Sequence, residues 1–223
     1  MFATSALFTD RREAGRRLAK AVAALGLSDP IVLALPRGGV PVALEVALAL
    51  RAPLDLLLVR KLGAPGHEEY GIGALVDGAD PQIVLNDEAM AIIKPPPDYV
   101  EAETQRQLIE LERRRKAYLG SRQALPVKGE TVVIVDDGIA TGSTITVALR
   151  ALRKAGAAGV VLAVPVAPLD TIDRLREEAD GVVCLATPEP FGSVGQHYVS
   201  FGQTSDQEVV DLLAAAAAGR HAG

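Results

Sequence analysis

Two adjacent carboxylates, Asp136 and Asp137, end the apolar run Val132–Val135, and a loop of small and hydroxyl residues (Ala140, Thr141, Gly142, Ser143, Thr144) follows Gly138 and Ile139. Carboxylates accept hydrogen bonds from hydroxyl groups. The start of a helix offers unpaired N–H groups and the positive end of the macrodipole, which favour a phosphate. Gly142 lets backbone approach a ligand closely, and Thr141, Ser143 and Thr144 add donors. Together these types suit a ligand that carries both hydroxyls and phosphate, such as ribose 5-phosphate.

The surrounding chain supplies the elements that must hold this loop. Largely apolar runs at 31–35, 54–59, 131–135, 160–165 and 182–186 read as buried strands, and amphipathic stretches between several of them read as helices. This alternation predicts an α/β fold, a parallel sheet with helices on both faces, in which Asp136 and Asp137 lie at a strand's carboxyl end where such sheets bind ligands. Asp10 and Glu13 are spaced as a capping box for a first helix running to about Leu25. "GIGALV" and "QIVL" predict two short strands joined by a turn, Asn86 caps a short helix that "KPPP" breaks, and a long helix covers about 98–119. The basic run "RRRK" in that helix reads as a solvated face, and the Ala-rich tail "LLAAAAAGRHAG" as a fraying helix end.

With 223 residues, 49% of them hydrophobic, the chain can bury the core of a single domain spanning 1–223. A net charge of −5 offers no broad basic surface, so neither nucleic acid nor an anionic membrane is expected as a partner. No window supplies an apolar span or an export signal, and the single Cys184 fits a small core residue, so a cytoplasmic setting is expected. A nucleoside-triphosphate P-loop and a dinucleotide glycine fingerprint are both missing. A receiver domain would place its acidic pair near the start and a lysine after a later strand, which "VVLAVPVAP" lacks.

Residues 132–144 resemble the phosphoribosyl-pyrophosphate (PRPP) signature of type I phosphoribosyltransferases, in the version of the adenine enzymes. The resemblance implies that Asp136 and Asp137 hold the ribose hydroxyls and that 140–144 cradle the 5-phosphate. Gly138 stands where these enzymes carry a larger apolar residue, which should loosen the turn; Ala140 stands where hypoxanthine-guanine enzymes carry an aspartate, so that base role does not transfer. "LPRGGVP" resembles the family's pyrophosphate loop and assigns Arg37, Gly38 and Gly39 to it. Related enzymes often hold the bond equivalent to Pro36–Arg37 in cis, so an unusual backbone is expected at Arg37 or Gly38. "VRKLG" resembles the stretch that places a basic residue on pyrophosphate, implying Arg60 and Lys61 there.

"GAPGHEEYGIGALV" occupies the place of the mobile catalytic loop, and its "EYG" matches the adenine enzymes, which implies Glu69 as the catalytic base. A hood built from chain ends is expected at about 187–206, with Phe191 and Tyr198 as candidates to stack on the acceptor or to fill the core. The whole also resembles bacterial phosphoribosyltransferases of unassigned acceptor, and the insert 86–123 is longer than purine enzymes carry. The implied reaction transfers phosphoribosyl from PRPP to a nucleobase-like nitrogen acceptor, with Mg²⁺ bridged by the substrate and no metal-ligand cluster of the chain's own. A non-catalytic PRPP-binding regulatory protein is the alternative, and a homodimer is left open.

Overall fold

The computed structural model of the chain describes residues 6–221, with the side chains of Glu68, Glu69, Arg220 and His221 outside the described set. Asp10 caps the first helix, α1 (Arg11–Ala23): its carboxylate accepts the Glu13 N–H at 2.8 Å, and Glu13 accepts the Thr9 N–H at 3.3 Å. The helix buries Ala14, Leu18 and Val22 on one stripe. It is followed by β1 (Ile31–Ala34), α2 (Gly39–Leu50) and β2 (Leu54–Leu56). The strand expected to reach residue 59 stops at Leu56. Leu57 still donates to the Ala34 carbonyl at 2.9 Å, but the Leu58 N–H turns to the Asp77 carboxylate at 2.6 Å, which takes the chain out of the sheet.

β3 (Val59–Ala64), β4 (His67–Val76) and β5 (Gln82–Leu85) then form a separate antiparallel sheet in that order. The segment expected as a mobile loop is therefore a hairpin, closed at Gly66, whose φ of 71° is open to glycine. Its register jumps between Gly63, opposite Gly71, and Ala64, opposite His67, which makes a bulge on the β4 side.

The insert consists of α3 (Asp87–Ile93), capped by Asn86 through the Ala89 N–H, and α4 (Pro97–Leu119). Arg115 of α4 and Arg122 just beyond it reach the open edge of β2, where an unpaired strand would otherwise invite association. Arg115 donates to Asp55 and Asp77 at 2.6 Å each, and Arg122 donates to the Leu54 carbonyl at 2.8 Å. The basic run is thus not uniformly solvated: Arg115 turns inward to two aspartates that are almost wholly buried. Burial pushes Asp77 up to about 6, against the opposing charge of Arg115.

β6 (Thr131–Val135), α5 (Ser143–Lys154), β7 (Gly159–Val166), α6 (Leu169–Arg176) and β8 (Gly181–Ala186) complete an all-parallel sheet of order β2-β1-β6-β7-β8. Alternate residues of one strand enter opposite layers: Val133 and Val135 pack with α1 and α2, while Val132 and Ile134 pack with α5. Residues 212–221 of the tail are helical. They belong to α7 (Asp206–His221), which buries Val209, Leu213 and Ala216 and brings Gly219 against Leu48 of α2. No described helix is long and apolar enough to cross a membrane.

Candidate functional site

β6 delivers Asp136 and Asp137 to the carboxyl end of the sheet, beside the loop that leaves β1. That loop has a cis Pro36–Arg37 bond, the unusual backbone the resemblance implied. Its glycines are required by packing. A Cβ on Gly39 would lie 2.7 Å from the Val135 carbonyl, and one on Gly38 would fall on the Asp137 carboxylate. The two motifs therefore touch, although about a hundred residues separate them.

Asp136 Oδ1 accepts the Asp137 N–H at 2.8 Å. Burial, reinforced by the neighbouring charge of Asp137, raises Asp136 well above the usual carboxylate range. Burial raises Asp137 as well, opposed by the hydrogen bond and charge of Arg11. Arg11 Nε meets Asp137 Oδ2 at 2.7 Å with the two side chains only 13% and 14% exposed, so Asp137 does not face open solvent as its strand-end position suggests. The same guanidinium donates to the Gly202 carbonyl at 2.6 Å and lies 3.9 Å from the Phe201 ring centroid. No motif marks Arg11; its only local signal is the place one residue after a helix cap.

The turn after Asp137 runs against the hood. A Cβ on Gly138 would lie 2.5 Å from Val194 Cγ1 and 3.1 Å from the Val166 carbonyl, so the space a larger residue would need is taken by the hood and by β7. Gly142 takes the left-handed conformation (φ 80°) at the start of α5, and α5 has no side-chain cap. Its first N–H groups are left for a ligand. Ala140, Thr141, Ser143 and Thr144 are exposed around it, and Thr171 and Arg174 of α6 brace the loop by donating to the Ala140 and Thr141 carbonyls at 3.2 and 3.4 Å.

The basic residues expected on pyrophosphate are divided. Arg60 and Lys61 are neighbours on β3, and strand alternation sends them to opposite faces. Arg60 donates to Gln107 of α4 at 2.9 Å, while Lys61 lines a cleft of ≈ 530 Å³ whose wall includes Ser143 and Thr144. Lys61 thus shares a cleft with the start of α5, and Arg37 opens onto a different cleft beside α4. Glu69 lies in the bulged part of β4 between the paired His67 and Gly71, with its side chain outside the described set.

Both chain ends build the hood. Leu7 and Phe8 donate to the His197 carbonyl, Val199 donates back to Phe8, and Ser200 donates to Thr9, all within 3.0 Å. Tyr198, a candidate to stack on the acceptor or to fill the core, is buried between Phe8 and Phe201, and its hydroxyl donates to the Asp137 carbonyl at 2.5 Å. Such a ring fixes the acidic pair and has no free face for a base. Phe191 packs on His197 with centroids 5.0 Å apart and is half-buried.

The phosphoribosyl transferase domain family profile matches residues 8–198. Proteins from two strains of Mycobacterium tuberculosis, each provisionally named a phosphoribosyl transferase, are 50% identical over 207 residues, 93% of this chain. The chain spans about half the length of these curated relatives, 46%. The crystal structure of the Thermus thermophilus protein TT1426 is 44% identical with a TM-score of 0.80, covering 92% of this chain and 97% of that one. A hypothetical Neisseria gonorrhoeae protein with bound ppGpp, 15% identical, shares the fold at a TM-score of 0.50 over 96% of this chain and 98% of its own.

Proposed function

The chain belongs to the phosphoribosyl transferase domain family, and on that premise we propose that it transfers the 5-phosphoribosyl group of PRPP to a nucleobase-like nitrogen acceptor, releasing pyrophosphate. One observation carries the reading: the loop with Gly38 and Gly39 packs directly on Asp136 and Asp137 beside the uncapped start of α5. Hydroxyl acceptors, a phosphate cradle and a leaving-group loop then adjoin at one sheet end.

In the transfer, the acceptor nitrogen forms a bond to the anomeric carbon as the bond from that carbon to the pyrophosphate oxygen breaks, and the electron pair leaves with pyrophosphate. The protein's part is to position ribose and stabilise developing charge. Asp136 and Asp137 orient the hydroxyls, the α5 start anchors the 5-phosphate, and a carboxylate on the β4 hairpin takes the acceptor's proton. Mg²⁺, if carried by the substrate's oxygens, would neutralise charge on the leaving group. The acidic pair is the chain's own contribution beside it.

The test is pyrophosphate release from PRPP and Mg²⁺ across a panel of purines, pyrimidines and other amines. One acceptor should support release. Tight PRPP binding with no release for any acceptor would instead identify a PRPP-binding regulatory protein.

The raised Asp136 adds a pH signature. In the free protein its carboxyl takes up a proton above the usual carboxylate range. Hydroxyl donors and a nearby cation favour the charged form, so the bound state holds that proton less tightly. Binding should therefore release protons, and PRPP affinity should rise with pH up to the raised free-state value and then level. Calorimetric titration in two buffers of different ionisation enthalpy measures the release; identical apparent enthalpies in both would contradict it.

A further inference from the structure

α4 carries two consecutive arginines that the transfer reaction leaves unused. Arg113 and Arg114 line one cleft of ≈ 330 Å³ with Pro36 and Arg37 of the glycine loop, Tyr118 and Asp206. We propose that this cleft is an anion subsite in which Arg113 and Arg114 of the insert join Arg37 to take the pyrophosphate end of the substrate, an assignment that rests on the PRPP reading.

The charges in the cleft are incompletely matched. Arg113 and Arg114 share one carboxylate, Glu110, through bonds of 2.7, 2.9 and 2.9 Å. Those two arginines hold Glu110 down at about 2, Arg113 foremost. Among the described residues the two terminal nitrogens of Arg114 make no hydrogen bond, and Arg37 has only a 3.5 Å approach to Asp206. Three guanidinium groups thus face two carboxylates, with donors to spare.

Asp206 is the resident counter-ion. It accepts the Tyr118 hydroxyl at 2.8 Å and faces Arg37 from the first turn of α7, 70% exposed. Exposed pairs of this kind are weak and readily exchanged. A pyrophosphate brings more charge and more acceptor oxygens than one carboxylate, and planar guanidinium groups match it two bonds at a time. The insert would then be an added wall of the leaving-group site, anchored from behind by Arg115 on Asp55 and Asp77.

Titration of pyrophosphate into the full chain at fixed ionic strength tests this. Replacing both arginines (Arg113→Gln with Arg114→Gln) should weaken pyrophosphate about tenfold or more, the scale of losing charge-assisted bonds at a partly exposed site. Asp206→Asn should tighten it about threefold by removing the competing charge. Both arginines are largely exposed, and thermal melts of each variant check the fold. Pyrophosphate that binds wild type and double variant equally, that does not bind wild type, or that binds no better than inorganic phosphate overturns the proposal. The PRPP reading fails separately: pyrophosphate binding that depends on Arg113 and Arg114 stands even if PRPP itself does not bind.

Discussion

Replacing Glu69 with glutamine should leave PRPP binding intact and lower turnover by about 10²–10⁴-fold, the span expected when a general base is lost. The reaction needs a proton removed from most nitrogen acceptors as the new bond forms. Ala140 provides no titratable group in the phosphate loop, so the base must come from elsewhere. Glu69 precedes Tyr70 and Gly71 as the catalytic glutamate does in the adenine enzymes that this stretch resembles, and β4 carries it in its bulged part. Bulges of this type re-aim side chains next to active sites. Glu68→Gln should be nearly silent. Steady-state kinetics with the acceptor selected from the panel decide the matter: equal turnover in the two variants would remove Glu69 from the mechanism and leave positioning and leaving-group stabilisation to carry catalysis.

Replacing Arg115 with methionine should destabilise the fold by about 3–5 kcal/mol, the cost of leaving buried charge without its partner. Asp55 and Asp77 are 1% and 8% exposed, and both direct a carboxylate oxygen at Arg115 over 2.6 Å. Arg122 reaches Asp55 only at 3.4 Å, and the Leu58 and Leu125 N–H groups cannot supply charge. The effect should depend on pH with a definite sign. Asp77 titrates at about 6 in the folded chain against 3.8 as a reference, so the native state takes up that proton first as pH falls through this window, and its contribution to stability increases on acidification. Without Arg115, which lowers that value, the window extends upward. Denaturant unfolding should therefore show a larger loss at about pH 8 than at about pH 5. A loss below about 1 kcal/mol, or one independent of pH, would mean that the aspartates find other partners.

What could be read from residue order and what could not divide along sequence distance. The helix cap at Asp10 and Glu13, the acidic pair after β6 and the two glycines after β1 are local patterns, and each lies where its spacing implied. Contacts between distant residues carry no such signal. Arg11 meets Asp137 across 126 positions, and Arg115 meets Asp55 across 60. A run of three arginines reads as one solvated face, yet it splits between an inward partner and an open cleft because successive helical positions turn by about 100°. Leu54–Val59 is one run, apolar but for Asp55, and Asp77 captures the Leu58 N–H and cuts the strand. The alanine-rich tail has only Leu212 and Leu213 as large apolar residues, and its small side chains let α7 lie close to α2, where a Cβ on Gly219 would fall 2.7 Å from Leu48. Residue type left Tyr198 open between acceptor stacking and core filling; the meeting of residues 7–9 with 197–200 buries its ring and spends its hydroxyl on the Asp137 backbone.

Asp136 is the sharpest probe of the ribose site. Burial disfavours the charged form of its carboxyl, and Asp136→Asn keeps the side chain's size, whereas Asp137→Asn also removes the partner of Arg11. Calorimetric titration of PRPP with Mg²⁺ into wild type and Asp136→Asn, with melting temperatures measured in parallel, tests the central claim most directly. A hydrogen bond to a charged group is worth about 1.5–3 kcal/mol, so the variant should bind PRPP about 10–100-fold more weakly while melting near the wild-type temperature. Equal PRPP affinity in the two proteins would contradict the assignment of the acidic pair to the ribose, and with it the site on which the proposed transfer depends.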